Sequence, residues 1–450
     1  MTHKLRVTDG TEIVYLTEDD LYLLNYQMRV SGGGNEPLTE SLEVGFYRSI
    51  QSVRSKIKAL NRLFTQAANY GRTQTGERVY VEFDPGGTGV FYRSMLYYGM
   101  LEPTEENLGG EWGAQNLEMD MQWTRQPFWE GPLTPLPLSN TSASNDTDGI
   151  TVNNVNDSNG ENWVNIRGLD IEGDLPSAIK VQMYNAYASA APADEIYMLH
   201  NVYSAPKTIS HVLEAEDGTG AYVTVSTEGT PGSSSDQYAT IAWSTTSEVK
   251  IFTISLPSAL LGSAGGGRFG IIARFNSAFA YSNMFMRVNL ESSTTELTTG
   301  ELSAVSPASR ELYWLDTLRL PPYLSGQSAI KSVDMTLYAK RSTAGTHTIY
   351  MDYIHLSPIS GEGGWKRFLS VDAGVAYQEY FVHDATEGYD YRIDTSANKI
   401  AEFSAYGGPI LLVPDVDQRL YFLSSDNNGL ALVEQSWTVK AWYRPRRSSF

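Results

Sequence analysis

Six histidines, His3, His200, His211, His347, His355 and His383, are the residues that could act as bases or nitrogen ligands, and none lies three or four residues from another. That spacing builds no local metal pair. His355 keeps phase with Met351 and Tyr353 and reads as a strand-face residue rather than a ligand or base. Glu214, Glu216 and Asp217 are near enough in sequence to supply the carboxylates of a glycosidase, which needs one protonated acid and one ionised partner across a cleft. An acidic surface loop explains them equally well. Asn145, Asp146, Asp148, Asn153, Asn154, Asn156 and Asp157 gather hard oxygen donors, and calcium takes about six to eight such oxygens from irregular loops. Asp146, Asp148 and Asp157 are therefore candidate calcium ligands, although Asn/Asp-rich stretches are also ordinary turn chemistry. No other cofactor is expected. Trp163, Tyr184, Tyr187, Trp243, Tyr281 and Trp314 could stack on the apolar faces of sugars. Trp163, Trp243 and Trp314 are the candidates for glycan binding, with core packing as the competing reading.

Other chemistries drop out on composition. The chain has no cysteine, which removes disulfides, thiolate nucleophiles and thiolate metal sites. The glycine clusters Gly32–Gly34 and Gly265–Gly267 lack the following Lys-Ser/Thr of a phosphate-binding loop and read as surface turns. No G-x-S-x-G elbow and no H-E-x-x-H is found. The expectation is a protein that is not an enzyme. Against 33 basic residues stand 52 acidic ones, a net charge of -19, which argues against wrapping duplex DNA. The longest apolar runs are far short of the ~20 residues that span a bilayer, and Met-Thr-His-Lys-Leu-Arg lacks the apolar core of a signal peptide.

The elements that must position these residues are almost all strands. Residues 1–131 hold short alternating stretches and one amphipathic helix, Tyr47 to Tyr70, whose Ile50, Val53, Ile57, Leu60 and Phe64 fall on one face, with Gly71 as its stop. The helix carries Arg48, Arg54, Lys56, Lys58 and Arg62 without an acidic residue among them. A solvated face would explain this; so would a seam against an acidic neighbouring subunit, with Arg54, Lys58 and Arg62 as its candidates. Nucleic-acid binding ranks third, since no aromatic stacking platform accompanies the charge. Residues 132–149, rich in Pro, Asn and Ser, read as a linker. Residues 150–360 are a run of short strands between Gly/Ser/Pro turns, the pattern of a jelly-roll sandwich. Residues 365–450 are again strand-rich and end in Arg444-Pro-Arg446-Arg447.

Three sets of segments carry a resemblance. Met121-Gln-Trp-Thr-Arg-Gln-Pro-Phe-Trp-Glu130 resembles the closing strand of tail proteins of long-tailed bacteriophages, and the order strands, helix, hairpin, closing strand is similar to the tail-tube-like fold of distal tail proteins. Pro409–Pro414, Gln418–Phe422 and Val439-Lys-Ala-Trp-Tyr-Arg-Pro-Arg446 look like the C-terminus of such proteins. Asn162–Ile166, Gly173–Pro176, Ile179–Met183, Tyr313–Asp316 and Ile349–Leu356 resemble carbohydrate-binding-like jelly rolls inserted in phage tail proteins.

The resemblance implies a mainly β protein made of a tail-tube-like sandwich with one helix, a jelly-roll sandwich, and a C-terminal β-rich segment that packs on the first domain or folds alone. It implies a virion structural subunit, made in the bacterial cytoplasm and working in the tail. Such a subunit forms a homo-hexameric ring between the tail tube and tip or fibre proteins. DNA would pass through the ring without specific binding, a passage that acidic walls favour. The sandwich would project toward host glycan or fibres. The alternative is a carbohydrate-binding adhesin or receptor-binding protein that forms no ring.

Overall fold

A computed structural model describes residues 3–18, 21–26, 28, 36–47, 50–103, 116–141, 143–144, 146–153, 161–186, 192–202, 212–227, 237–257, 268–279, 284–292, 295–305, 310–319, 333–358, 364–400, 403–425 and 436–449. Arg48, Asn145, Asn154, Asn156, Asp157, Tyr187, His211, Tyr281 and the two glycine clusters lie outside them. The chain is mainly β, as expected, with several antiparallel sheets and one α-helix among the described residues. No helix among them is long and apolar enough to cross a membrane.

Two compact units divide the chain. The first comprises Met1–Thr134, Glu172–Ser177 and Arg444–Phe450; the second comprises Pro135–Ile171 and Ala178–Tyr443. In the first, strands run in the order Ile13–Tyr15, Lys4–Thr8, Tyr80–Asp84, Tyr92–Pro103, Asn116–Arg125, Leu38–Tyr47, Leu21–Tyr26. Tyr92–Pro103 serves two half-sheets. It pairs with Tyr80–Asp84 up to Met95 and with Asn116–Arg125 from Leu96, and the register shifts between Leu96 and Tyr98. A bulge of this kind bends a strand and lets one sheet fold over its own core.

The helix, Ile50–Thr73, starts and ends about one turn later than the periodicity suggests, because Tyr47 completes the preceding strand. Its apolar face is the expected one: Val53, Leu60, Leu63, Phe64 and Ala67 are buried in the core with Val7, Val44, Phe46, Met121 and Trp123. Gly71 does not stop it. Gln74, with φ of 56°, takes the left-handed position, and its N–H returns 2.8 Å to the Tyr70 carbonyl. Gly71 serves approach instead, since a Cβ there would stand 3.1 Å from the Tyr97 carbonyl oxygen. At Gly99 a Cβ would fall 2.3 Å from the Phe64 ring, so a bare backbone is what seats the helix on the sheet.

The second unit stacks two sandwiches. One pairs a sheet ordered Ile150–Asn153, Ser436–Tyr443, Ser177–Asn185, Tyr380–Asp384, Tyr389–Ile393, Lys399–Ile400 with a sheet ordered Trp163–Ile166, Gln418–Ser425, Glu195–Val202, Gly364–Ser370, Phe403–Gly407. The other lies between residues 212 and 358 and encloses a core that includes Trp243, Phe252, Phe275, Met286 and Met351. A third cluster, Tyr197, Leu199, Ile272, Leu312, Tyr353, Tyr421 and Leu423, joins them face to face.

This changes the expected boundaries. A jelly roll over 150–360 and a separate 365–450 segment are not how the strands pair, for Glu195–Val202 lies antiparallel to both Gly364–Ser370 and Gln418–Ser425. Residues 212–358 are thus an insertion between two neighbouring strands. Alternation along one strand reveals its two faces but not its partner. The 132–149 stretch is more than a linker, because Leu136 and Leu138 sink fully into the first sandwich's core. Of 365–450, the residues that join the first unit are Arg444–Phe450.

Candidate assembly interface

Met121–Glu130, the segment that resembles a tail-protein closing strand, turns out to be a buried polar keystone. Strand alternation sends Met121, Trp123 and Arg125 inward, and the Arg125 side chain is 0% exposed beside an equally buried Glu40. Arg125 Nε and Nη2 donate to the two Glu40 oxygens at 2.8 and 2.7 Å. The Trp123 indole N–H adds a 2.8 Å bond and the Tyr26 hydroxyl one of 3.1 Å. The guanidinium carbon lies 4.5 Å from the Trp129 ring centre, and Nη1 donates to the Gln126 carbonyl. A bidentate pair with its remaining sites filled is the arrangement in which a buried ion pair holds. Burial, and then the Glu40 charge, push the Tyr26 hydroxyl far above the ordinary phenol range.

The end of the same segment meets the C-terminal one. Arg446 donates to Glu130 through Nε and Nη2 at 3.1 and 2.8 Å, its guanidinium lies 4.2 Å from the Phe128 ring centre, and Arg93 approaches Glu130 at 3.5 Å. The two-residue strand Arg446–Arg447 pairs with Trp129–Glu130, and Gly131 donates to the Pro445 carbonyl. Glu172–Ser177 completes the clasp: Asp174 and Leu175 donate to the Arg446 carbonyl, and Ser448 bonds the Asp174 carboxylate. Gly173, at φ of 110°, has no room for a Cβ, which would sit 2.3 Å from the Arg446 oxygen.

The sheet built on this keystone has a core face and an open face. On the open face Glu43 stands opposite Asp120 and Asp120 opposite Glu102, a row of three carboxylates at about 5 Å per strand. They line a shallow depression with Asn25, Ser41, Met100 and Gln122. Like charges directly opposite one another are unfavourable, so the fold bears a cost here. The helix packs on the other face, over Gly99. Arg54 and Lys58 are exposed on it. Arg62 is exposed too, but its Nε donates 2.9 Å to Glu12. Of the three residues expected at a seam, Arg62 thus has its charge met within the chain by Glu12.

The residues expected to bind glycan are placed otherwise. Trp243 is 2% exposed inside the second sandwich and presents no ring face to a ligand. Trp314 stacks on Trp365 with ring centres 4.1 Å apart, in the layer between the sandwiches. Trp163 lies beneath the Arg419 guanidinium at 3.7 Å. All three are inward because tryptophan at alternate strand positions fills sandwich cores and seams. Asp146 closes a turn, accepting the Asp148 and Gly149 amides, and Asp148 is exposed beside it. No group of three or more metal-ligating side chains forms among the described residues. Glu214 ends a strand, and Glu216 and Asp217 sit on the short 3-10 turn Ala215–Asp217 that follows.

Two further charged clusters lie in the second unit. Glu195, fully buried, receives Arg310 at 3.0 Å and Arg367 at 2.6 Å, and Arg274 lies 3.9 Å from Asp352 with neither exposed. The signal was available, since each charge occupies an inward position of a strand. His355 is a buried strand residue, edge-on to Tyr421. His200 is also buried; its Nε2 pairs with the Gln418 side-chain oxygen at 2.8 Å, and Gln418 is oriented by donating to the Val413 and Val416 carbonyls. Burial holds this imidazole down at about 4, against 6.5 ordinarily. Between those values the unfolded chain takes a proton that the folded chain refuses, so stability falls as pH drops through that window and not above it. The expected loss is about 3 kcal/mol. His200→Gln should flatten the difference in urea midpoint between pH 7 and pH 4.5; an unchanged difference would rule this out.

No protein-family model and no curated protein matches the chain. Among solved structures, a protein of the phage P2 baseplate in its activated conformation with calcium aligns over 80% of this chain and 98% of its own, at 10% identity and a TM-score of 0.22. The strontium form aligns over 79% and 97%, at 11% identity and a TM-score of 0.21. The VP2 subviral particle of infectious bursal disease virus aligns over 61% and 66%, at 6% identity and a TM-score of 0.18. Such TM-scores lie below those of proteins that share a fold.

Proposed function

We propose that the chain is a structural subunit of a bacteriophage tail, a distal-tail-like protein that assembles into a homo-hexameric ring between the tube and the tip or fibre proteins. One observation carries the reading. The ends of two stretches that resemble tail proteins, Glu130 and Arg446, lie 316 residues apart in sequence and pair within the first unit, although Val439–Tyr443 of the second stretch belongs to the other unit. That pairing supports reading both ends as parts of one tail-like domain. The acidic row on the open sheet face suits the wall of a channel that DNA must traverse without sticking. The cationic helix suits a heterologous contact with an acidic surface of a neighbouring subunit. The second unit is assigned to contact with host glycan or fibres.

Particle mass in solution, with negative-stain images of the same sample, tests the ring. Six-fold rings are expected, and a monomer at every concentration, with or without tail-tube protein, would leave a ring-free adhesin in its place. The double variant Arg54→Glu/Lys58→Glu should weaken assembly about tenfold or more, and the wild-type ring should loosen as salt rises. Assembly indifferent to both changes would take the seam away from the helix.

A further inference from the structure

The outward face of one sheet in the second unit differs in character from the rest of the acidic chain. Register places its side chains in cross-strand rows: Thr438, Tyr184, Tyr380 and Ile393; then Lys440, Gln182, Val382 and Tyr391; then Trp442, Lys180, Asp384 and Tyr389. The inward neighbours, among them Val181, Met183, Phe381, Val439 and Ala441, form the sandwich core, which fixes these rows as the outer face. Tyr184 and Tyr380 are adjacent, with ring centres 4.9 Å apart. Tyr389 is 62% exposed, whereas Val382, set among these side chains, is 1% exposed. The apolar surface that remains is thus ring rather than aliphatic chain.

Charge points the same way. On a chain of net charge -19 this face carries Lys180, Lys440 and, opposite Ile393, Lys399, against Asp384, with Glu387 on the adjoining turn also within electrostatic reach of Lys180. Lys180 and Asp384 pair at 2.8 Å and cancel. Lys440 and Lys399 remain, the latter 5.0 Å from the Tyr391 ring centre.

We infer that this face binds an acidic polysaccharide, whose sugar rings lie on Tyr184, Tyr380 and Tyr389 and whose carboxylates meet Lys440 and Lys399. Ring faces present polarised C–H bonds to an aromatic π surface, as other cationic edges do. Gln182 and Thr438 stand between the aromatics to meet hydroxyl groups, in the way a few placed polar groups fix orientation in an otherwise aromatic site. Tyr184 and Tyr380 stand on neighbouring strands, and Tyr389 lies four residues further along, roughly 14 Å away with Tyr391 between, so the aromatic rings span a stretch of about three sugars rather than one. A protein partner is the poorer fit on charge, for the centre of a protein interface is depleted in lysine, whereas lysines stand among these rings. The inference rests on the reading of the second unit as the glycan-contacting part of a tail subunit, and names its surface and ligand class.

The test is native affinity electrophoresis of the full chain in gels containing polygalacturonate, alginate or hyaluronate, with dextran as the neutral control. Retardation by at least one uronate polymer and none by dextran is expected. Tyr389→Ala and Lys440→Glu should each weaken it about tenfold, and Tyr389→Phe, which keeps the ring, should retain it. Tyr389 is exposed, so its loss leaves the fold intact. No retardation by any uronate polymer, or equal retardation of wild type and both variants, overturns the inference. Ring assembly, read from particle mass on the same samples, is unaffected by either outcome and fails or stands separately.

Discussion

Glu40→Gln is expected to cost the first unit roughly 3–5 kcal/mol, the penalty for leaving a buried charge without its partner. Arg125 is fully enclosed and directs two donors at Glu40, whose carboxylate also anchors Trp123 and Tyr26. A neutral amide can still accept from one or two of these groups, but it cannot offset the guanidinium charge in a site closed to water. The readout is hydrogen exchange along Asn116–Arg125 in the intact chain, where protection should fall by a factor of a hundred or more. The double variant Glu40→Leu/Arg125→Met should recover most of the loss, since apolar replacement of a whole buried pair is often neutral or favourable. A single variant that exchanges like wild type would show that the pair is decorative.

Deletion of residues 444–450 should be nearly as severe, at about 3–4 kcal/mol, and its effect should appear at the opposite end of the sequence. The deletion removes a strand pairing, the Arg446–Glu130 bonds and the cover over Phe128. It leaves Glu130, only 5% exposed, facing Arg93 at 3.5 Å as its remaining ion-pair partner among the described residues. Charge-assisted bonds of this kind contribute about 1.5–3 kcal/mol each when one side is buried. Exchange at Tyr92–Pro103 and Trp129–Glu130 should rise while Glu195–Val202, in the second unit, stays protected. Equal protection everywhere would mean that the clasp is ornamental; a rise in both units would mean that they unfold together.

Much of the fold was legible because its signals are periodic. Val53, Leu60 and Phe64 announced the buried helix face, and strands such as Ile179–Met183 and Ser436–Tyr443 alternate as clearly in burial as in sequence. Pairing was not legible, because a strand's own residues do not encode which of some thirty others lies beside it. Hence the sequence pattern puts Glu195–Val202 and Gly364–Ser370 in different domains, although they are adjacent in space. Gly71 misled because glycine serves close approach as well as helix termination, and only Tyr97 across the gap separates the two. The placement of Trp163, Trp243 and Trp314 has a related cause, because tryptophan as a residue type suits sugar stacking and core filling alike. The tyrosines on the outer sheet face gain their meaning from register, with Tyr184 beside Tyr380, and register is a property of the pairing. Arg62 looked equivalent to Arg54 and Lys58 until Glu12, 50 residues away, was found beneath it.

The way the first unit is closed also sets an order of events on the ribosome. Its sheet begins with Lys4–Thr8 and is completed only by Arg446–Arg447, so the whole second unit is synthesised before the last strand becomes available. Until then Trp129–Glu130 waits with an unpaired edge. A chain released early could fold its two sandwiches in part but could never seal the domain proposed to join the ring. Sealing of the first unit therefore follows synthesis of Arg446–Arg447, after the whole of the second unit has left the ribosome.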